Sequence, residues 1–152
     1  MLFLENISSI LLGAHLVAAI ITLIALLAAA AYLVFASEKD WQTGVRAAFW
    51  GAWGYIATFI LGLLIYPVFR VNVRAADFDK ARPWATGLFE AKEHIGAIAL
   101  FAAIGILVLA KTTDEKSDDN RKKVFIFLVS TVAVVFLVKF IFGFILSGLN
   151  RI

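Results

Sequence analysis

The sequence contains two histidines, and each lies inside a long apolar stretch. His15 occurs in the segment LLGAHLVAA and His94 in LFEAKEHIGAIAL. Ionisable side chains are rare in such stretches, where they usually face a protein interior and serve a specific purpose. Two neutral imidazoles at similar depth on parallel helices suit a flat macrocycle, since haem iron binds one nitrogen on each of its faces. The pair therefore predicts a metal site in which His15 and His94 are the axial ligands of one haem b.

Four other residues have the types and positions that such a cofactor needs. Ala18 and Ala97 each follow a histidine by three positions, and their small side chains would leave room for the macrocycle. The two haem propionates require cations near the membrane surface, and Arg70 and Arg74 follow the second apolar stretch. We expect these arginines to neutralise the propionates.

Two further ionisable residues complete the expected site. Lys139 lies deep in the fourth apolar stretch, where an ammonium group needs a carboxylate, a propionate or a route to the surface. Glu90 precedes His94 by one helical turn, on the same helix face. We expect its carboxylate either to pair with Lys139 or to orient the imidazole by accepting a hydrogen bond.

Four apolar helices must position these residues. Hydrophobic residues make up 62% of the 152-residue chain, against about 45–50% in an average soluble domain. They form four runs, each able to supply the ~20 residues that span a bilayer. The predicted fold is all-α, a single four-helix transmembrane bundle over residues 1–152 with both termini on the same side. The predicted helices are 7–36, 43–66, 89–110 and 124–149.

The connections between the predicted helices differ in character. Residues 37–42 form a short link, which requires antiparallel neighbours, and residues 111–123 are almost wholly polar and should lie in water. Pro67 should end the second helix. Residues 67–88 mix basic and aromatic side chains, which favours a segment lying on the membrane surface or over the end of the bundle. An ordinary interfacial loop is the alternative.

Composition and motifs exclude several classes of chemistry. The chain has no cysteine, which excludes disulfides, covalent c-type haem attachment, iron–sulfur clusters and thiol catalysis. It has no nucleophile–base pair and no phosphate-binding glycine loop. It also lacks the basic and aromatic surface pattern of nucleic-acid binding. Glu90 and His94 would supply only half of a zinc or di-iron site, which requires three or four ligands.

The layout resembles that of the four-helix membrane cytochromes b and the haem-bearing anchor subunits of respiratory enzymes. The resemblance lies in the number of helices and in one histidine on each of two helices. It is a resemblance of architecture alone, so no site residue is carried over from it.

The leading interpretation is a membrane-bound b-type cytochrome or haem-binding electron-transfer subunit, rather than a stand-alone enzyme. We expect a multi-pass protein of a prokaryotic inner (plasma) membrane. Its expected partners are the lipid bilayer, another membrane or redox protein or a second copy of the chain, with a quinone as a further candidate. Because one haem near one face cannot carry electrons across a whole bilayer, a partner is needed.

Two other interpretations are open at this point. In the first, the protein is a cofactor-free accessory or scaffolding subunit, and its histidines form hydrogen bonds between helices. In the second, it is a small proton-conducting protein that uses Glu90, His94 and Lys139. A pore is disfavoured because the predicted helices have no glycine or proline break at mid-membrane.

Overall fold

The structure is a computed structural model that describes residues 4–35, 40–113 and 117–149. Within these ranges the chain is almost wholly helical and has no β-strand. Four helices are long and apolar enough to cross a membrane. This confirms the predicted all-α class and the number of such helices. They are α1 (Ser8–Phe35), α2 (Trp41–Phe69), α4 (Pro83–Ala110) and α5 (Asp119–Leu149), and a very short α3 (Asp79–Ala81) precedes α4.

Two of these helices begin well before the predicted positions. Helix α4 starts at Pro83 rather than at residue 89, and proline suits the first turn of a helix because its missing N–H would have no partner there. Helix α5 starts at Asp119 rather than at residue 124, and an acidic residue is favourable at a helix N-terminus. The added turn of α5 (residues 119–123) is wholly polar, so an apolar pattern cannot detect it, whereas the added residues of α4 (83–88) are mostly apolar.

The structure also differs from the prediction for residues 67–88. Helix α2 does not end before Pro67 but includes it, and the chain continues as a π-helical segment from Arg70 to Phe78. Helix α3 follows directly, and the chain turns only at Arg82, where φ is −140° and ψ is 62°. The predicted surface loop is therefore mainly an extension of α2. Proline lowers the stability of a helix but does not end it when the following turns are held elsewhere.

Packing at the turn holds this extension in place. Phe78 is fully buried and lies edge-on to Phe69, with 5.9 Å between the ring centroids. Arg82 donates a hydrogen bond of 2.7 Å from Nη1 to the carbonyl oxygen of Leu149 and forms an ion pair of 3.3 Å with Asp77. The turn therefore lies against the C-terminal end of α5. We call this the Arg82 end of the bundle.

The four long helices pack as two hairpins. Helix α1 packs along α2 and α4 packs along α5, while α2 also contacts α4 and α1 also contacts α5. Helices α1 and α4 therefore lie at opposite corners of the bundle. Trp41 is buried against Phe125 near the starts of α2 and α5, with ring centroids 6.3 Å apart. We call this the Trp41 end.

Glycines of α2 allow its close approach to α1. A Cβ atom at Gly51 would lie 2.8 Å from Cδ2 of Leu26, and one at Gly54 would overlap the hydroxyl of Thr22. Small residues permit such contact between apolar helices, where packing rather than water exclusion drives association. The resulting contact brings the first half of α1, including His15, against the second half of α2.

Candidate functional site: a polar cluster between the helices

Lys139 of α5 is the centre of a group of buried and partly buried polar side chains between apolar helices. Its ammonium group lies above the ring of Tyr55, 5.5 Å from the centroid, and above that of Phe59, at 5.4 Å. A Cβ atom at Gly96 of α4 would overlap the ammonium group and lie 2.7 Å from Cε. Gly96 therefore provides the space that the ammonium occupies, and the two rings stabilise its charge. We call His15, Tyr55, Glu93 and Lys139 the polar cluster.

Tyr55 connects α2 to α4 beside this lysine. Its side chain is 1% exposed, and its hydroxyl donates a hydrogen bond of 2.8 Å to the carbonyl oxygen of Gly96. Its ring packs on Phe136 of α5, with centroids 5.2 Å apart. One residue therefore fixes the relative positions of three helices at the depth of Lys139.

Glu93 is the carboxylate of the polar cluster. It interacts electrostatically with His15, Tyr55 and Lys139. Its ion-pair partner, however, is Lys92, with Nζ and Oε1 3.4 Å apart. None of the ion pairs among the described residues includes Lys139. Lys92, Glu93 and Lys139 together therefore carry one net positive charge, and Lys139 has no ion-pair partner of its own among the described residues.

His15 completes the cluster from α1. Its half-buried ring lies against Gly62 of α2, where an added Cβ would be 3.5 Å from Cε1 of the imidazole. The ring lies beside the backbone carbonyl of Thr58, but its Nδ1 atom is buried without a hydrogen-bond partner of acceptable geometry. Buried polar atoms are nearly always paired, so an unpaired one indicates either strain or a ligand. His15 is therefore a candidate contact for a bound molecule.

The structure pairs Arg74 with Glu90, and the Glu90 carboxylate does not pair with Lys139. Arg74 Nη2 and Glu90 Oε1 are 2.6 Å apart, and Arg74 Nε also contacts Oδ1 of Asp79 at 3.3 Å. Thr86 donates a hydrogen bond of 2.8 Å to the same Asp79 oxygen. These contacts link the extension of α2 to α4. Neither of the two partners expected for the Glu90 carboxylate, Lys139 and the imidazole, is its partner here.

His94 lies on the outer face of α4. Its ring is exposed, as are its neighbours Ala97 and Ile98. Its Nδ1 atom is 2.7 Å from the backbone oxygen of Glu90, so the carbonyl of that residue, rather than its carboxylate, orients the ring. His94 therefore lies on the exposed face of α4, whereas His15 lies against Gly62 of α2.

The remaining predicted residues, Arg70 and Ala18, are not members of the cluster. Arg70 is exposed at the start of the π-helical segment, and Ala18 is half-buried on α1. Within the part of the chain that the structure describes, no group of three or more His, Asp or Glu side chains could hold a metal ion.

Sequence reasoning missed Tyr55 and Glu93, although a signal for Glu93 exists. Buried residues of α4 recur at helical spacing, and they define the face that points inward. They are Ala85, Phe89, Gly96, Ala99, Ala103 and Ile106. Glu93 lies between Phe89 and Gly96 on this face, whereas Glu90 and His94 lie on the opposite one. The small residues, rather than the histidine, indicate the orientation of α4.

No protein-family model, no curated protein and no solved structure matches the chain. Its function is therefore inferred from the chemistry of the polar cluster.

Proposed function

We propose that this is a multi-pass membrane protein, with both termini on one side, that binds the carboxylate of an amphiphilic ligand at the polar cluster. The observation that carries this proposal is the uncompensated ammonium group of Lys139. A charged side chain within a membrane is costly and is normally paired. The pairing of Lys92 with Glu93 leaves one positive charge, which a single carboxylate would balance.

The surroundings of Lys139 suit a ligand with an apolar body. Tyr66, Phe69 and Phe89 stack towards the Arg82 end, with Phe69 and Phe89 centroids 4.6 Å apart. Phe89 is buried in this stack, but Tyr66 and Phe69 are only partly buried, and their accessible edges would contact the apolar part of a ligand whose carboxylate reaches Lys139. A hydrogen bond between the ammonium and the carboxylate would be charge-assisted and therefore stronger than a neutral one.

The half of the bundle nearer the Trp41 end lacks the polar path that conduction or transport would need. Between the cluster and the Trp41 end, the described core consists of apolar side chains apart from the buried hydroxyl of Thr22. Examples are Leu26, Ala29, Ala48, Ile106 and Val129. A proton or ion path needs polar groups or water along its whole length. A binding subunit is therefore favoured over a proton-conducting protein.

The ligand content of the purified protein tests the proposal. We expect native mass spectrometry of wild-type protein, released gently from its own membrane, to show one acidic amphiphile bound per chain. Solvent extraction and mass measurement would then identify it. Protein that carries only neutral lipid would contradict the proposal and favour a cofactor-free accessory subunit. An exposed-lysine variant, Lys123→Met, serves as the control for nonspecific binding of acids.

Haem b is a second candidate ligand, because His15 places an imidazole in the polar cluster with Nδ1 beside the Thr58 carbonyl, so that Nε2 is the nitrogen that would ligate iron. Haem combines an apolar macrocycle with two carboxylates and a need for nitrogen ligands, and it would supply one-electron transfer. Of the residues present, His15 would ligate the iron and Lys139 would pair with a propionate. His94 does not fit as the second ligand in this arrangement, because it faces outward from the opposite corner of the bundle.

An absorption spectrum tests the haem proposal. Wild-type protein from a haem-replete host should show the reduced absorption bands of a bound b-type haem, and a colourless preparation would contradict the proposal. We expect His15→Ala to abolish these bands, because the change removes the only histidine that faces the interior of the described bundle. The matched variant His94→Ala should retain them. Persistence of the bands in His15→Ala would reject His15 as the ligand.

A further inference from the structure

A groove lies between α2 and α4 towards the Trp41 end, away from the polar cluster. Its volume is about 430 Å³. Its apolar wall includes Trp53, whose side chain is 48% exposed, and Val108, which is 62% exposed. The residues that line it are Phe49, Trp53, Leu107, Val108, Lys111 and Thr112. The groove is therefore apolar along most of its length and polar at one end.

One cation lines this polar end, and a second lies one helical turn beyond the lining residues of α2. Lys111 directly follows α4 and is exposed. Arg46 is also exposed, and it lies one helical turn before Phe49 on the same face of α2. Neither cation belongs to an ion pair of the described residues. One basic group from each wall is therefore available to an anion at the mouth of the groove.

We infer that this groove binds an anionic phospholipid. An acyl chain would lie along Trp53 and Val108, and the headgroup phosphate would lie between Lys111 and Arg46. The charge at the mouth is complementary to a phosphate, and the apolar wall is complementary to an acyl chain. Tryptophan is also favoured at the boundary between hydrocarbon and headgroups. Because the polar cluster contributes no residue to this groove, the inference does not depend on the proposed function.

Quenching of tryptophan fluorescence by brominated lipids tests the inference. The protein would be placed in phosphatidylcholine vesicles containing equal mole fractions of either brominated phosphatidylglycerol or brominated phosphatidylcholine. Subtracting the signal of Trp53→Phe isolates the tryptophan that lines the groove. When the mole fraction of brominated lipid is increased in both series, we expect brominated phosphatidylglycerol to reach half-maximal quenching of Trp53 at a lower mole fraction than brominated phosphatidylcholine does. Each cation should contribute about 5-fold to this preference, as expected for a basic residue near a lipid surface.

Charge variants decide whether the groove is responsible. The double variant Arg46→Gln/Lys111→Gln should lose the preference, and Lys123→Gln, an exposed position near the start of α5, should keep it. Added inorganic phosphate should not compete, because the acyl chain provides part of the binding. Equal quenching by the two lipids in the wild type, or a preference that survives the double variant, would overturn the inference.

Discussion

Replacing Lys139 with methionine should lower the affinity for an amphiphilic carboxylate by about 10- to 100-fold, the range expected when a hydrogen bond to a charged group is lost. Methionine has a similar length and is apolar, so the packing over Tyr55 and Phe59 should be kept. Oleate titrated into protein in lipid nanodiscs is a suitable probe, with empty nanodiscs as the blank. The uncharged methyl oleate should bind the wild type and the variant equally.

Two matched variants make this result specific to the site. Lys139→Arg keeps the positive charge and should retain much of the higher affinity for oleate than for methyl oleate. Lys123→Met removes a charge from an exposed position of the same helix and should have no effect. Unliganded Lys139→Met should also unfold at a higher temperature than the wild type, because it removes an uncompensated charge from an apolar setting. A Lys139→Met variant that binds oleate as well as the wild type does would contradict the assignment of this site.

Replacing Gly54 with alanine should lower the free energy of unfolding by about 1–3 kcal/mol, which is the usual cost of overpacking. The added Cβ would overlap the hydroxyl of Thr22, which is 3% exposed. Threonine is β-branched and has few alternative rotamers, so the helices themselves must separate. Gly143→Ala is the matched control, since nothing lies within 4 Å of a Cβ at that position.

Thermal unfolding in detergent measures both glycine variants. Gly54→Ala should unfold at a lower temperature than the wild type, and Gly143→Ala at the same or a slightly higher one, because alanine is the better helix former. Equal stabilities of the two variants would show that α1 and α2 are not in close contact at Gly54. The position of His15 against α2 depends on that contact.

The sequence was sufficient to predict the four helices because each contains an apolar run long enough to span a bilayer. It was insufficient to predict where they begin and end. At the start of α5, the Asp118 carboxylate accepts a local hydrogen bond from the backbone N–H of Arg121, outside the apolar run. The continuation of α2 through Pro67 is stabilised by contacts distant in sequence. The hydrogen bond from Arg82 to Leu149 is an example, since it joins residues 67 positions apart.

The sequence identified Lys139 and His15 as unusual, but it could not establish which acid lies near them. Glu90 and Glu93 are three positions apart on α4, and their ion-pair partners determine which of the two lies near Lys139. Arg74 binds Glu90, and its position depends on the helical extension of α2, which replaced a predicted loop. Glu93 is therefore the acid that interacts with the cluster. The sequence also could not show that His94 lies on the exposed face of α4.

The relative affinity of the wild-type protein for oleate and methyl oleate tests the central claim most directly. The two probes differ only in the charge of the head, so their comparison isolates the contribution of the carboxylate. If the uncompensated ammonium of Lys139 is a carboxylate-binding group, oleate should bind at least about 10-fold more tightly than the ester. Equal affinity of the two probes would contradict the claim.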